Sequence, residues 1–167
     1  MIVLTTSRLR VRDWTADDAT ALSQLTVDDD VVRFLAGRPW SPTDARAMID
    51  TWREIADGLG VATWAIEALD GTLVGYCGFA RTNADWLRSD TVEIGWLLGR
   101  RYWGRGLATE AARAVLALGL RHIEARRIAS KCHIANHASE RVMQRLGMRK
   151  VGVVRRTTDL TVVYRLP

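Results

Sequence analysis

The sequence predicts an α/β (α+β) fold, a mixed and largely antiparallel sheet of about six to seven strands with helices on both faces. Three observations lead there. Two apolar runs, Val61 to Leu69 and Thr72 to Phe79, are joined by Asp70-Gly71, a dipeptide that favours a tight hairpin and therefore antiparallel neighbours. The C-terminal half then alternates strand, helix, strand, helix, an order that suits a parallel crossover. Finally, 167 residues with 48% hydrophobic and 26% charged side chains is the size and balance of one domain with a sizeable core. Residues 1–167 are accordingly expected to form a single domain.

Arg8 to Trp14 alternates well enough for a first strand, and Thr15-Ala16-Asp17-Asp18 supplies a cap and first-turn acids for a helix with Ala19, Leu22 and Leu25 inward. Asp28-Asp29-Asp30 breaks that helix, and Val31 to Leu35 suits one further short turn. The triple aspartate reads as a solvated loop or as an attraction for a cationic ligand. Ser41-Pro42-Thr43-Asp44 is a helix start with Ser as cap and Pro in the first position. Ala45, Met48, Ile49, Trp52 and Ile55 follow at helical spacing, and Gly58-Leu59-Gly60 ends the run. Past the hairpin, Arg81 to Asp90 is polar. Thr91 to Leu98 is a strand, Leu107 to Leu120 a helix without proline, and Arg126 to His133 another strand. Asn136 caps a helix that runs through Leu146 to a stop at Gly147, and Arg149 to Arg155 and Leu160 to Leu166 close the chain as two strands.

The chemistry concentrates between Thr91 and Leu120. Glu93 is a lone carboxylate in a β-branched, apolar strand, and alternation sets it on one face with Thr91, Gly95 and Leu97. The turn from Gly99 to Gly106 holds three glycines and three arginines and opens directly into a helix. The first backbone N–H groups of a helix have no intrahelical partner and sit at the positive end of its dipole, so a phosphate binds there once glycines let the backbone approach. The alternative is that the glycines only permit a tight turn. The helix itself carries Leu107, Ala111, Val115 and Leu118 on one stripe and Ala108, Ala112, Leu116 and Leu120 beside it, a pattern that predicts burial nearly all round.

The strand with its Glu, the Arg101-x-x-Gly104-x-Gly106 turn and the alanine-rich helix resemble the acetyl-CoA-binding core of the GNAT acetyltransferase superfamily. Further on, Asn136, Ser139 and Leu146-Gly147-Met148 resemble the Rim-type branch that includes the ribosomal-protein serine/alanine N-acetyltransferases, with Met148 where that branch has Phe. The opening Ser7 to Trp14 is similar to its first strand. The resemblance implies a GNAT-like sheet whose central strand splays from its successor to admit the pantetheine arm of acetyl-CoA. It implies cofactor contacts at Trp96, Leu97 and Leu98 through the strand backbone, at Arg101, Gly104, Arg105, Gly106, Leu107 and Ala108 in the turn and helix start, and at Asn136. It also implies catalytic residues. An amine must lose a proton before it attacks a thioester, and Glu93 on this strand is the candidate base. The tyrosine with which many members protonate the leaving thiolate is replaced by Met143, which leaves Ser139 as the candidate hydrogen-bond donor to the sulfur. Each has a structural alternative: an ion pair with one of the many arginines for Glu93, an ordinary first-turn residue for Ser139, and a helix cap for Asn136.

Composition bounds the rest. The net charge of +5 is scattered over arginines without a basic tail, which argues against nucleic acid as the partner. No apolar run is long enough for a membrane span and no leader is visible, so the expected location is cytoplasmic. Cys77 and Cys132 are expected to be buried free thiols, and His122, His133 and His137 lack ligand spacing, so no metal is expected. The expected acceptor is an amine, either a protein N-terminus or a small molecule, met by loops 28–40, 81–90 and 155–159, with Asn83 and Trp86 as substrate-binding candidates. A homodimer is only the default, since two-fold dimers are the commonest assembly. The rival functions are a non-catalytic acyl-CoA-binding module, which would not need Glu93, and a basic nucleic-acid binder, which would bind with strong salt dependence.

Overall fold

The computed structural model describes residues 1–35, 37–82, 89–156 and 159–167. Its elements are β1 (Ile2–Thr5), β2 (Leu9–Arg12), α1 (Asp18–Leu25), α2 (Asp29–Val32), α3 (Pro42–Leu59), β3 (Thr63–Ala68), β4 (Leu73–Arg81), β5 (Val92–Leu98), α4 (Leu107–Gly119), β6 (Ile128–His133), α5 (His137–Arg145), β7 (Arg149–Arg156) and β8 (Asp159–Arg165). The strands form one eight-stranded sheet in the order β1-β2-β3-β4-β5-β6-β8-β7. Every neighbouring pair is antiparallel except β5 with β6. The unpredicted eighth strand is β1, four residues that lie at the sheet edge with little burial.

Helices cover both faces, as the pattern predicted. On one, α1 and α3 bury Leu22, Ile49 and Trp52 against Trp14, Ala65 and Leu73. On the other, Leu107, Ala111, Ala112 and Val115 of α4 pack on Val74, Phe79 and Ile94. The α4 helix is less enclosed than its composition suggests, since Arg113, Ala117 and Leu120 are exposed. Its close seat on the sheet is made by Gly119, where a β-carbon would lie 2.2 Å from Cζ of Phe79. The Ser41 cap is found with a reciprocal bond from Asp44, both partners satisfying orphan N–H groups. The α1 start differs from expectation: it begins at Asp18, whose carboxylate accepts the Thr15 N–H at 2.7 Å and pairs with Arg12. No helix among the described residues is long and apolar enough to cross a membrane.

Candidate active site

The site begins where β5 and β6 part. Their parallel pairing covers only Val92 with Ile128 and Glu93 with Ala129. Beyond Glu93 the β6-facing N–H and C=O groups of β5 have no ladder partner, and although the Leu98 carbonyl accepts from Trp103 Nε1 at 2.7 Å, the rest are left open to a ligand. The gap leads into a cavity of about 840 Å³ lined by Glu93, Gly95, Trp96, Leu97 and Leu98 from β5 and by Ser130, Lys131, Cys132 and His133 from β6. Side chains alternate along a strand and opposite partners share a face. The register therefore places Glu93, Leu97, Tyr76 and Lys131 toward α1 and α3, and Trp96, Leu98, Ser130 and Cys132 toward α4 and α5. Because both sets line the same cavity, it passes through the sheet.

The α4 side carries the features expected of a cofactor end. Gly104 and Gly106 adopt left-handed φ of 73° and 76°, which only glycine takes without strain, and Gly106 caps α4. Both line the cavity together with Leu107, Ala108 and Thr109, whose N–H groups stand at the start of α4. Arg101 and Arg105 are exposed and outside that lining; the Arg101 guanidinium lies over the Tyr102 ring and the Arg105 carbonyl accepts from Arg8. Asn136 is indeed the α5 cap, its Oδ1 accepting the Ser139 N–H at 3.0 Å, and both residues also line the cavity. Met143 is fully buried and outside the lining, so neither its chemistry nor its position suits an acid. Cys132 is half-buried beside Asn136, with its thiol pushed up to about 11 by burial and then by the nearby Glu140 charge. Cys77 is buried in the core.

At the other end, Glu93 is not held in the apolar setting its strand suggests, nor paired with an arginine. Its carboxylate accepts a hydrogen bond from Lys131 Nζ, and both side chains are under a quarter exposed, at 23% and 22%. Tyr76 faces the same space, with Trp40 stacked on its ring and Trp52 tilted against it, and its hydroxyl has no hydrogen-bond partner among the described residues. Burial first, and the Glu93 charge second, hold that phenol above its ordinary value, so it is a donor at neutral pH. Val31, Phe34 and Leu35 close the space from α2 and the turn after it, with Phe34 against the His133 ring. The triple aspartate is neither idle nor in the cavity: Asp28 caps α2, and Asp30 pairs with Arg100 at 3.0 Å and ties α2 to the glycine turn. Asn83 and Trp86 lie outside the described residues. Among the described residues no cluster of three or more His, Cys, Asp or Glu side chains could hold a metal ion.

Sequence reasoning missed Lys131 and Tyr76. Tyr76 reads as an ordinary aromatic of a hairpin strand. Lys131 sits two residues past the last paired position, so its approach to Glu93 depends on where the strands part, which a single sequence does not show.

Residues 8–149 match the family model of the acetyltransferase (GNAT) domain. YnaD of Bacillus subtilis strain 168, described as an uncharacterized N-acetyltransferase, is 31% identical over 150 residues, which cover 89% of this chain and 84% of YnaD. Among solved structures, the GNAT-family acetyltransferase from Bacillus anthracis is 26% identical with a TM-score of 0.77, covering 98% of this chain and 96% of that one. RimL, a ribosomal-protein α-N-acetyltransferase solved in complex with coenzyme A, shares the fold with a TM-score of 0.81 at 20% identity, covering 99% and 98% of the two chains. The chain belongs to the GNAT acetyltransferase family. It is an acetyl-CoA-dependent N-acetyltransferase.

Proposed function

We propose that this enzyme moves the acetyl group of acetyl-CoA to a primary amine by direct attack in a ternary complex, with Glu93 as the base. The observation that carries the reading is the cavity through the β5–β6 splay, which joins the start of α4 to a carboxylate on the opposite face. In this reading the diphosphate of the donor meets the N–H groups after Gly106, flanked by Arg101 and Arg105, while the β5 backbone from Trp96 to Leu98 takes the pantetheine arm and the thioester oxygen. Asn136 and Ser139 border the sulfur end. The RimL complex holds coenzyme A in a disulfide with a cysteine, and the cysteine that lines the cavity here is Cys132.

The acceptor enters as an ammonium ion. Glu93 takes one proton and the nitrogen attacks the thioester carbon, so a C–N bond forms as the C–S bond breaks. The second nitrogen proton leaves with the departing sulfur, to which Ser139 donates only a hydrogen bond, since an alcohol is a poor acid. Tyr76 supplies a further donor beside Glu93. A protein α-amine, as the RimL likeness suggests, is one acceptor class; the cavity that Glu93 shares with Lys131, Phe34 and Tyr76 favours a small amine as the second. Thermal shift with acetyl-CoA followed by thiol-release assays over Ser- and Ala-terminated peptides and small amines tests this. Acetyl-CoA at a hundredfold over its Kd should add about 2.7 kcal/mol, a rise of about 5 to 10 °C, and no rise at saturation would refute the site.

A further inference from the structure

We infer that the Glu93–Lys131 ion pair selects an acceptor that carries a carboxylate as well as its amine, a free amino acid or a similar small zwitterion. The inference rests on the reading above, in which Glu93 meets the acceptor ammonium. An incoming ammonium must then take the place that Lys131 Nζ now holds. Among the described residues the side chains of Glu93 and Lys131 have only each other as hydrogen-bond partners, across two strands that have just parted. A monoamine that displaces Lys131 leaves its ammonium largely enclosed and without a partner, which is costly. A zwitterion leaves nothing unpaired: its ammonium goes to Glu93 and its carboxylate to Lys131, two pairs where one stood.

The residue type fits such an exchange. Lys131 and Lys150 are the only lysines in a chain whose other long cations are all arginine. Arginine would clamp a carboxylate with a planar fork, whereas lysine is a point charge on a flexible stem that can swing from one carboxylate to another. The surrounding donors also exceed the acceptors. Tyr76 offers its hydroxyl, which has no partner among the described residues. His133, two residues beyond Lys131 on the same face, accepts the Ala135 N–H at Nδ1, which assigns its proton to Nε2 as a second donor. Against these three donors the lining on this side of the sheet offers one carboxylate that is not exposed, Glu93, and the Thr161 hydroxyl, while Arg33 and Asp159 are exposed and opposite in sign. A ligand with an extra anionic oxygen corrects that imbalance.

The test is acetyl-CoA-dependent thiol release by wild type, Lys131→Met and Lys131→Arg on panels of free amino acids, the matching amino acid amides and the matching decarboxylated amines. The amides have the less basic nitrogens and more free base at pH 8, so a preference for the acids runs against intrinsic reactivity. For the side chain turned over best, wild type should favour the acid over the amide by roughly tenfold or more in kcat/KM. Lys131→Met should erase that ratio and raise turnover of the decarboxylated amine, and Lys131→Arg should keep the preference for the acid. A lysine that merely braces the two strands would lower Tm and all three panels together and leave the ratio unchanged. Equal use of acid and amide by wild type, or an unchanged ratio in Lys131→Met, overturns the inference. Turnover of amides and simple amines without acids sinks it while leaving amine acetylation standing, and the absence of thiol release with every member of the panels and with the Ser- and Ala-terminated peptides refutes both.

Discussion

Replacing Gly119 by Ala should destabilise the enzyme although it removes glycine from a helix. At an exposed helical site the change gains up to about 1 kcal/mol from backbone entropy, and less in a last turn. At the end of α4 the new β-carbon would stand 2.2 Å from Cζ and 2.4 Å from Cε2 of Phe79. Carbon atoms meet at roughly 3.5 to 4.0 Å. The Phe79 ring is 1% exposed and cannot swing aside, and lifting α4 would loosen Val115 and Leu116. Overpacking of this kind costs about 1–3 kcal/mol, and a clash this close belongs in the upper half of that range. The net loss is therefore about 1–3 kcal/mol, or a fall in Tm of roughly 2 to 12 °C for a chain of this length. Thermal melts of Gly119→Ala, Phe79→Leu and the pair check it, since the shorter side chain should make room and give a coupling of about 0.5 kcal/mol or more. A Tm at or above wild type, or strict additivity in the double variant, would refute the packing argument.

Other consequences follow from single contacts. Burial alone would raise the Asp18 and Glu110 carboxyls, but hydrogen bonds from Arg12 and Thr15 to the first, and from Thr6, Ser7 and Arg8 to the second, hold both below their ordinary values. Their stabilisation is thus present above the unfolded-state values near 4 and lost as pH falls through the folded ones, so Tm should drop below about pH 4, and Asp18→Asn should flatten that slope in a pH series of melts. Asn136→Ala removes the α5 cap and should cost about 1 kcal/mol; a loss of acetyl-CoA affinity that the capping variant Asn136→Asp does not restore would mark a direct cofactor contact. Met143→Tyr, which installs the family's phenol in a fully buried position, should lower Tm without raising kcat.

Most of the fold is written in local signals. Asp70-Gly71 makes the hairpin through Gly71 at φ 90° and the Asp70 side chain on the Thr72 N–H, and Ser41 caps α3 as its spacing to Asp44 predicts. The turn glycines at 104 and 106 are legible because their conformation excludes other residues. What escaped depends on tertiary register. β1 is short and mostly exposed, so its sequence carries no alternation to read. The partner of Glu93 and the role of Tyr76 follow from which residues face each other across β4, β5 and β6. Burial of Met143 follows likewise from the way α5 packs, whereas its neighbour Ser139 reaches the cavity one turn earlier.

Glu93→Gln removes the carboxylate proposed to take the amine proton across the splay, so acetyl-CoA binding and single-turnover thiol release should be measured on it together across pH. Unchanged acetyl-CoA affinity, a fall in rate of about a hundredfold near pH 7, and partial recovery as alkaline pH deprotonates the amine without help are the results expected. A rate within a few-fold of wild type at pH 7 would contradict the assignment of Glu93 as the base.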